Sequence, residues 1–97
     1  MEWQLTKTSP GEELAKLTLF SMKKSQPEGC VNFRITVREY AVPPAGQRLR
    51  FFAEADKQVN QSHAPLLPSG WGDSEWEALE GCLRLIRSFP YQGEDWN

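Results

Sequence analysis

Along residues 31–42, VNFRITVREYAV, apolar and polar side chains alternate almost without a break. Side chains of a strand point to opposite faces with a period of two. Val31, Phe33, Ile35 and Val37 therefore share one face, and Asn32, Arg34, Thr36, Arg38 and Tyr40 share the other. The first set asks for a core. What the second set faces is the functional question. RLRFFAEAD (48–56) repeats the pattern, with Leu49, Phe51, Ala53 and Ala55 against Arg48, Arg50, Phe52, Glu54 and Asp56. Between the two runs, Pro43-Pro44-Ala45-Gly46 stops the first, because prolines cannot donate to a ladder and glycine relaxes the backbone. The short connection predicts an antiparallel hairpin. If Val42 pairs with Gly46, Arg34 opposes Glu54 and Arg38 opposes Arg50. Shifted by two residues, Arg38 opposes Phe52 and Arg34 opposes Asp56.

Upstream, LAKLTLFSMKK (14–24) predicts a strand with less distinct faces: Ala15, Leu17 and Leu19 on one, Leu14, Thr18, Phe20 and Met22 on the other. It ends at the turn residues of SQPEG (25–29). WQLTK (3–7), broken by Ser9-Pro10-Gly11, reads as a short first strand. Residues 59–72 have two prolines, two glycines and no clear period, and read as an ordered loop with an extended piece at Leu66-Leu67. Over 73–90 the period becomes helical. Ala78, Cys82, Leu85 and Phe89 form one row and Leu79, Leu83 and Ile86 the next. Ser74 with Glu77 fits a capping box, Glu80 and Arg84 an i,i+4 pair, and Pro90 a stop. Four strands and then a helix predict an α+β fold: an about four-stranded antiparallel, meander-like sheet with one C-terminal helix packed on one face.

A chain of 97 residues corresponds to a single domain, 1–97, with 91–97 expected to be a flexible acidic tail. Four Trp, five Phe and a hydrophobic fraction of 39% argue against disorder. A net charge of −2 excludes a surface that is basic all over, as a nucleic-acid binder of that kind would need. The charge is uneven, however. Residues 1–70 hold nine Lys and Arg against seven Asp and Glu, and 71–97 hold two against six, so the segments carry +2 and −4. Any basic surface lies on the N-terminal two thirds.

Candidate chemistry is sparse. Cys30 and Cys82 lack a CxxC or Cys/His cluster and read as free thiols of a reducing compartment. No apolar run approaches a membrane span, and the start has no apolar leader segment, so a cytoplasmic location is expected. His63 stands alone in a loop, and Cys82 falls on the apolar stripe of the helix, where burial makes a thiol inert. Asp73, Ser74, Glu75 and Glu77 begin a helix, as capping and the helix dipole favour. GWGDS (70–74) lacks the lysine of a phosphate-binding loop, and Trp71 and Trp76 read as pins for the loop and the helix edge. No catalytic residue, cofactor or metal is expected, and the chain reads as a non-enzyme.

LPSGWGDSEWEALEGCLRLI (67–86) resembles the Leu-Pro-Gly … Gly-Asp-Ser/Thr … Glu-Ala-Leu run of HicB-type antitoxins, in which a strand leads through that loop into a helix. Leu67-Pro68, Gly72-Asp73-Ser74 and Glu77-Ala78-Leu79 match. The run covers about a fifth of the chain, and the long N-terminal strands depart from that family. The resemblance implies a protein-binding, non-catalytic role.

One helix, about 10 Å across with its side chains, covers one side of a sheet. The other side would show Arg34, Arg38, Tyr40, Arg48, Arg50 and Phe52, with Phe20 and Met22 beside them. The first expectation for this surface is a protein partner, above all a second copy in a homodimer, since Met, Arg and aromatics are enriched in interface centres. The alternative is single-stranded nucleic acid, where arginines meet phosphates and each base stacked on a ring contributes about 1–3 kcal/mol. An ordinary solvated face with cross-strand ion pairs is the third reading.

Overall fold

The computed structural model describes residues 2–96. A 3₁₀ turn at Trp3–Leu5 precedes strands β1 (Ala15–Gln26), β2 (Gly29–Tyr40), β3 (Phe51–Ala55), β4 (Val59–Gln61), β5 (Ala64–Leu66) and β6 (Ser69–Gly72), then helix α1 (Glu75–Ser88). The main sheet is antiparallel in the order β1-β2-β3-β6, and β4-β5 is a separate two-stranded excursion. With α1 packed on the sheet, this is the α+β plan expected. Its fourth strand differs. Trp3–Leu5 coils into a turn, closed by Leu5 and Thr6 N–H donating to Glu2 and Trp3 carbonyls. The fourth strand is instead β6, from the segment read as a loop.

β1 and β2 form a hairpin of 12 residues a side, reversed at Pro27-Glu28, with Gln26 facing Gly29. The β2–β3 register places Arg38 opposite Phe52 and Thr36 opposite Glu54, the shifted alternative. The backbone outside the pairing enforces it: Tyr40 N–H donates to Arg50 O and Asp56 N–H to Arg34 O. Arg38 and Arg50 are not directly opposed.

Val31, Phe33, Ile35 and Val37 are buried with Ala53 and Ala55 against Ala78, Cys82 and Ile86 of the helix. Directly opposed residues share a face, so the β1 pairing decides what its alternation left open. Phe20 opposes Ile35 and Met22 opposes Phe33, which puts both on the core side, where they pack against the core. They are not part of the open face, contrary to the expectation. Leu17 opposes Arg38 and Leu19 opposes Thr36, so the leucines take that place.

The helix starts where expected, with Ser74 Oγ accepting the Glu77 N–H at 3.1 Å. Its far end is held from β1. Lys24 Nζ donates to the Ile86 carbonyl at 2.6 Å and the Phe89 carbonyl at 2.9 Å, satisfying acceptors that a helix end otherwise leaves orphaned. Burial lowers the pKa of this ammonium. The Gln26 amide donates to Tyr91 O and accepts from Tyr91 N–H, as a strand backbone would. Tyr91 is buried edge-on to Phe33, and Trp96 packs against Tyr91 with ring centres 5.0 Å apart. The residues read as a flexible tail are thus held at both aromatic positions, and Asn97 lies outside the described residues. Glu80 pairs with Arg87 at 3.7 Å rather than with Arg84, and Trp76 is 69% exposed and pins nothing.

The helix sits almost on the backbone of β6. A Cβ at Gly70 would lie 2.5 Å from the Ala78 carbonyl oxygen and 2.9 Å from the Cys82 nitrogen. One at Gly72 would lie 2.6 Å from the Ala78 nitrogen. These are helix backbone atoms that cannot rotate away. Gly70→Ala is therefore expected to lower stability by about 2–3 kcal/mol, the scale of overpacking in a close-packed core, read as a lower urea midpoint.

Candidate binding face of the sheet

The face turned away from α1 is built from cross-strand rows. In the longest, Leu17, Arg38, Phe52 and Trp71 lie side by side across all four strands of the main sheet. The next row is Leu19, Thr36, Glu54 and Ser69. Tyr40, opposite Ala15, flanks the first row. Trp71 stacks on Tyr40 at 6.1 Å and tilts against Phe52 at 4.6 Å, forming an aromatic cluster at one end. Leu17, Leu19 and Trp71 are 58%, 64% and 37% exposed, so large apolar side chains stand in water on both outer strands of this face.

Of the six residues singled out in the sequence, Arg38, Tyr40 and Phe52 lie together here. Arg38 forms an ion pair with Glu54 at 3.9 Å. Tyr40 is buried beneath the cluster, and Phe52 is half-buried within it. Arg50 is turned to the rim. Its Nε donates to Tyr40 O at 3.2 Å and its Nη2 lies 3.6 Å from Glu39. Arg34 is exposed at the opposite, polar end, where its backbone N–H donates to Asp56. Arg48 is exposed in the connection before β3, outside the rows.

Trp71, Leu17 and Leu19 were missed as members of the face. The leucines had a signal, since Leu17 and Leu19 share a parity, but only the register says which face that parity occupies. Trp71 had none. Ser-Gly-Trp-Gly is poor in strand formers, and it pairs because β3 and the helix leave it one place to go.

Elsewhere the chemistry is thin. His63 is exposed at the two-residue reversal between β4 and β5, where Ser62 and His63 have φ of 48° and 70°. An open cleft of about 650 Å³ beside it is lined by Asp56, Lys57, Asn60, His63, Tyr91 and Gln92 among others. Several of its polar groups bind one another or the backbone: Asn60 donates to Gln92, and Lys57 to Asp56 and the Asn32 carbonyl. Among the described residues, His, Cys, Asp and Glu nowhere gather in threes fit to hold a metal. Among these residues, too, no helix is long and apolar enough to cross a membrane.

No family model, curated protein or solved structure matches the chain. The likeness of residues 67–86 to HicB-type antitoxins is confined to the two residues before β6, β6 itself, a capped turn and the first three turns of α1.

The two thiols are both free. Cys82 Sγ contacts the Pro68 carbonyl at 3.4 Å, and burial pushes its pKa up to about 11. About one part in a thousand is then thiolate at pH 8, and only the thiolate attacks. One equivalent of a thiol reagent should react with the native protein, at the half-exposed Cys30, and two in urea. Rapid reaction of both thiols in native protein would contradict this burial.

Proposed function

We propose that the chain is a non-catalytic protein-interaction module that associates with itself through the sheet surface opposite the helix. The contact centres on Leu17 and Leu19, with Arg38, Phe52 and Trp71 extending it. What carries this reading is the exposure of two adjacent leucines and a tryptophan on one continuous face, which monomers rarely leave uncovered.

The state of the arginines supports a protein partner over nucleic acid. Arg38 is matched by Glu54 and Arg50 by Glu39, so a phosphate at either would displace a carboxylate and meet its charge. Single-stranded nucleic acid remains the second reading. It is favoured by Arg34 and Arg48, which make no ion pair among the described residues, and by the part-exposed Trp71 ring. The free thiols support a reducing compartment and hence a cytoplasmic protein.

The test is molar mass by light scattering across a dilution series, at low and high salt, with and without a mixed-sequence oligonucleotide. The wild type should dimerise with little salt dependence and ignore the oligonucleotide. Leu17→Asp with Leu19→Asp should weaken the dimer at least about 30-fold, since two central apolar side chains cost about 2 kcal/mol or more together. A monomer whose mass rises only with oligonucleotide, and loses that rise in salt, would overturn this reading in favour of the second.

A further inference from the structure

The sheet has two edges. β6 is four residues long, whereas β1 offers 12 residues, and no backbone hydrogen bond among the described residues reaches its outer side. The direction of its free groups can be read from the pairing. Leu14 O accepts from Ala41 N–H, and antiparallel partners alternate between bonded and non-bonded pairs. Even-numbered residues of β1 therefore bond inward to β2. Ala15, Leu17, Leu19, Ser21 and Lys23 present their N–H and C=O groups outward. These same residues line the open face, because their β2 partners do.

The residues along this edge are self-complementary. Continued two residues ahead of the strand to Glu13, the outward set runs Glu13, Ala15, Leu17, Leu19, Ser21, Lys23. Turned end for end about Thr18, it sets Glu13 against Lys23, Ala15 against Ser21 and Leu17 against Leu19. A two-fold axis perpendicular to the sheet requires each pair of opposed residues to have the same parity, and this register satisfies that condition. Moving the axis by one residue, to Leu17 or Leu19, leaves both charges facing neutral partners. Glu13 and Lys23 are exposed and form no ion pair within the chain among the described residues. On the core side, Lys16 would meet Phe20 of the second copy, where its stem can cover the ring, and not another lysine. Lysines often protect an edge from pairing, but here they stand outside the stretch Leu17–Met22, which has no charge, proline or glycine. Lys24 is already turned onto the helix end.

We infer that two copies join edge to edge along β1, antiparallel and centred on Thr18, into one eight-stranded sheet. The inference rests on the self-association proposed above and keeps its Leu17–Leu19 centre, but moves the contact from the face to the β1 edge, leaving Arg38, Phe52 and Trp71 outside the seam. Backbone pairing supplies the seam, two Leu17–Leu19 contacts its apolar centre, and two Glu13–Lys23 pairs its register. The open faces of both copies become continuous, so the Phe52–Trp71 clusters stand at its two sides.

The test is a charge exchange in the full chain, at exposed positions that leave the fold intact. Glu13→Lys and Lys23→Glu each turn two attractive pairs into repulsive ones and should weaken the dimer about fivefold or more at low salt. The combined variant restores opposite charges across the seam and should return to near wild-type affinity. Thr18→Cys in a Cys30→Ser background should cross-link the dimer on oxidation, since non-bonded antiparallel partners lie about 4.5 Å apart at Cα, within disulfide range. Suppose the leucine variants dissociate the dimer while the charge variants do not, and the cysteine fails to cross-link. The edge geometry is then wrong and a face-to-face dimer stands. A wild type that stays monomeric at all concentrations overturns both.

Discussion

The structure depends on how closely α1 approaches β6. Ala78 and the backbone of Gly81 and Cys82 lie against Gly70, and Ala78 and Glu77 lie against Gly72, with no room for a single methyl between them. At this distance the helix axis is fixed over one side of the sheet, and the larger side chains of its stripe, Leu79, Leu83 and Ile86, reach the core beside it. The antiparallel β6 then leads back through Asp73 and the Ser74 cap directly into the helix. Two glycines that weaken a strand by themselves are what let this strand exist, because the burial their absent side chains permit outweighs their cost.

Seating the helix over β6 and β3 has a consequence at the far side of the sheet. Beyond Phe20 and Met22, which pack against the core, β1 is tied down by long reaches, Lys24 and Gln26 to the end of the helix and to Tyr91, and Thr18 to Glu75. These anchor its inner face, and among the described residues its edge has no neighbour and the opposite face no second layer. An apolar face and an unpaired edge meet at the same two leucines, which is the physical ground for reading the protein as a binding module. The arginines that first suggested nucleic acid are partly spent within the chain, on Glu54 and Glu39. Cross-strand ion pairing, the solvated-face reading, is thus part of the answer for Arg38 and Arg50, though it leaves the leucines unexplained.

Much of this was legible in the residues. The alternation of Val31–Val37 and of Phe51–Ala55, the change of period at residue 73 and the Ser74 cap identified two strands, a helix and the plan that joins them. Three things were not legible. Trp3–Leu5 alternates over too few residues to separate a strand from a turn. Ser69–Gly72 has the composition of a loop and pairs for a tertiary reason, the clearance beneath the helix. The parity of β1 could not be decided because both of its faces carry apolar residues. The sequence assigns its leucines to neither side and sets Phe20 and Met22 beside the open face, whereas opposition to Ile35 and Phe33 puts both on the core side. The Arg38–Arg50 repulsion vanished for a similar reason: register is set by the backbone of a ten-residue connection, whose Gly46 has φ of 81°.

The central claim is that the outer edge of β1 is open in one chain and closed by another. Hydrogen exchange of single amides reads this most directly, because the strand provides its own control. Thr18 and Phe20 bond inward and should be protected at every concentration, while Leu17, Leu19 and Ser21 point outward. The account predicts fast exchange of the outward amides in dilute protein and slow exchange once the dimer fills. Outward amides that exchange rapidly at all concentrations, or that stay protected at the lowest, would contradict it.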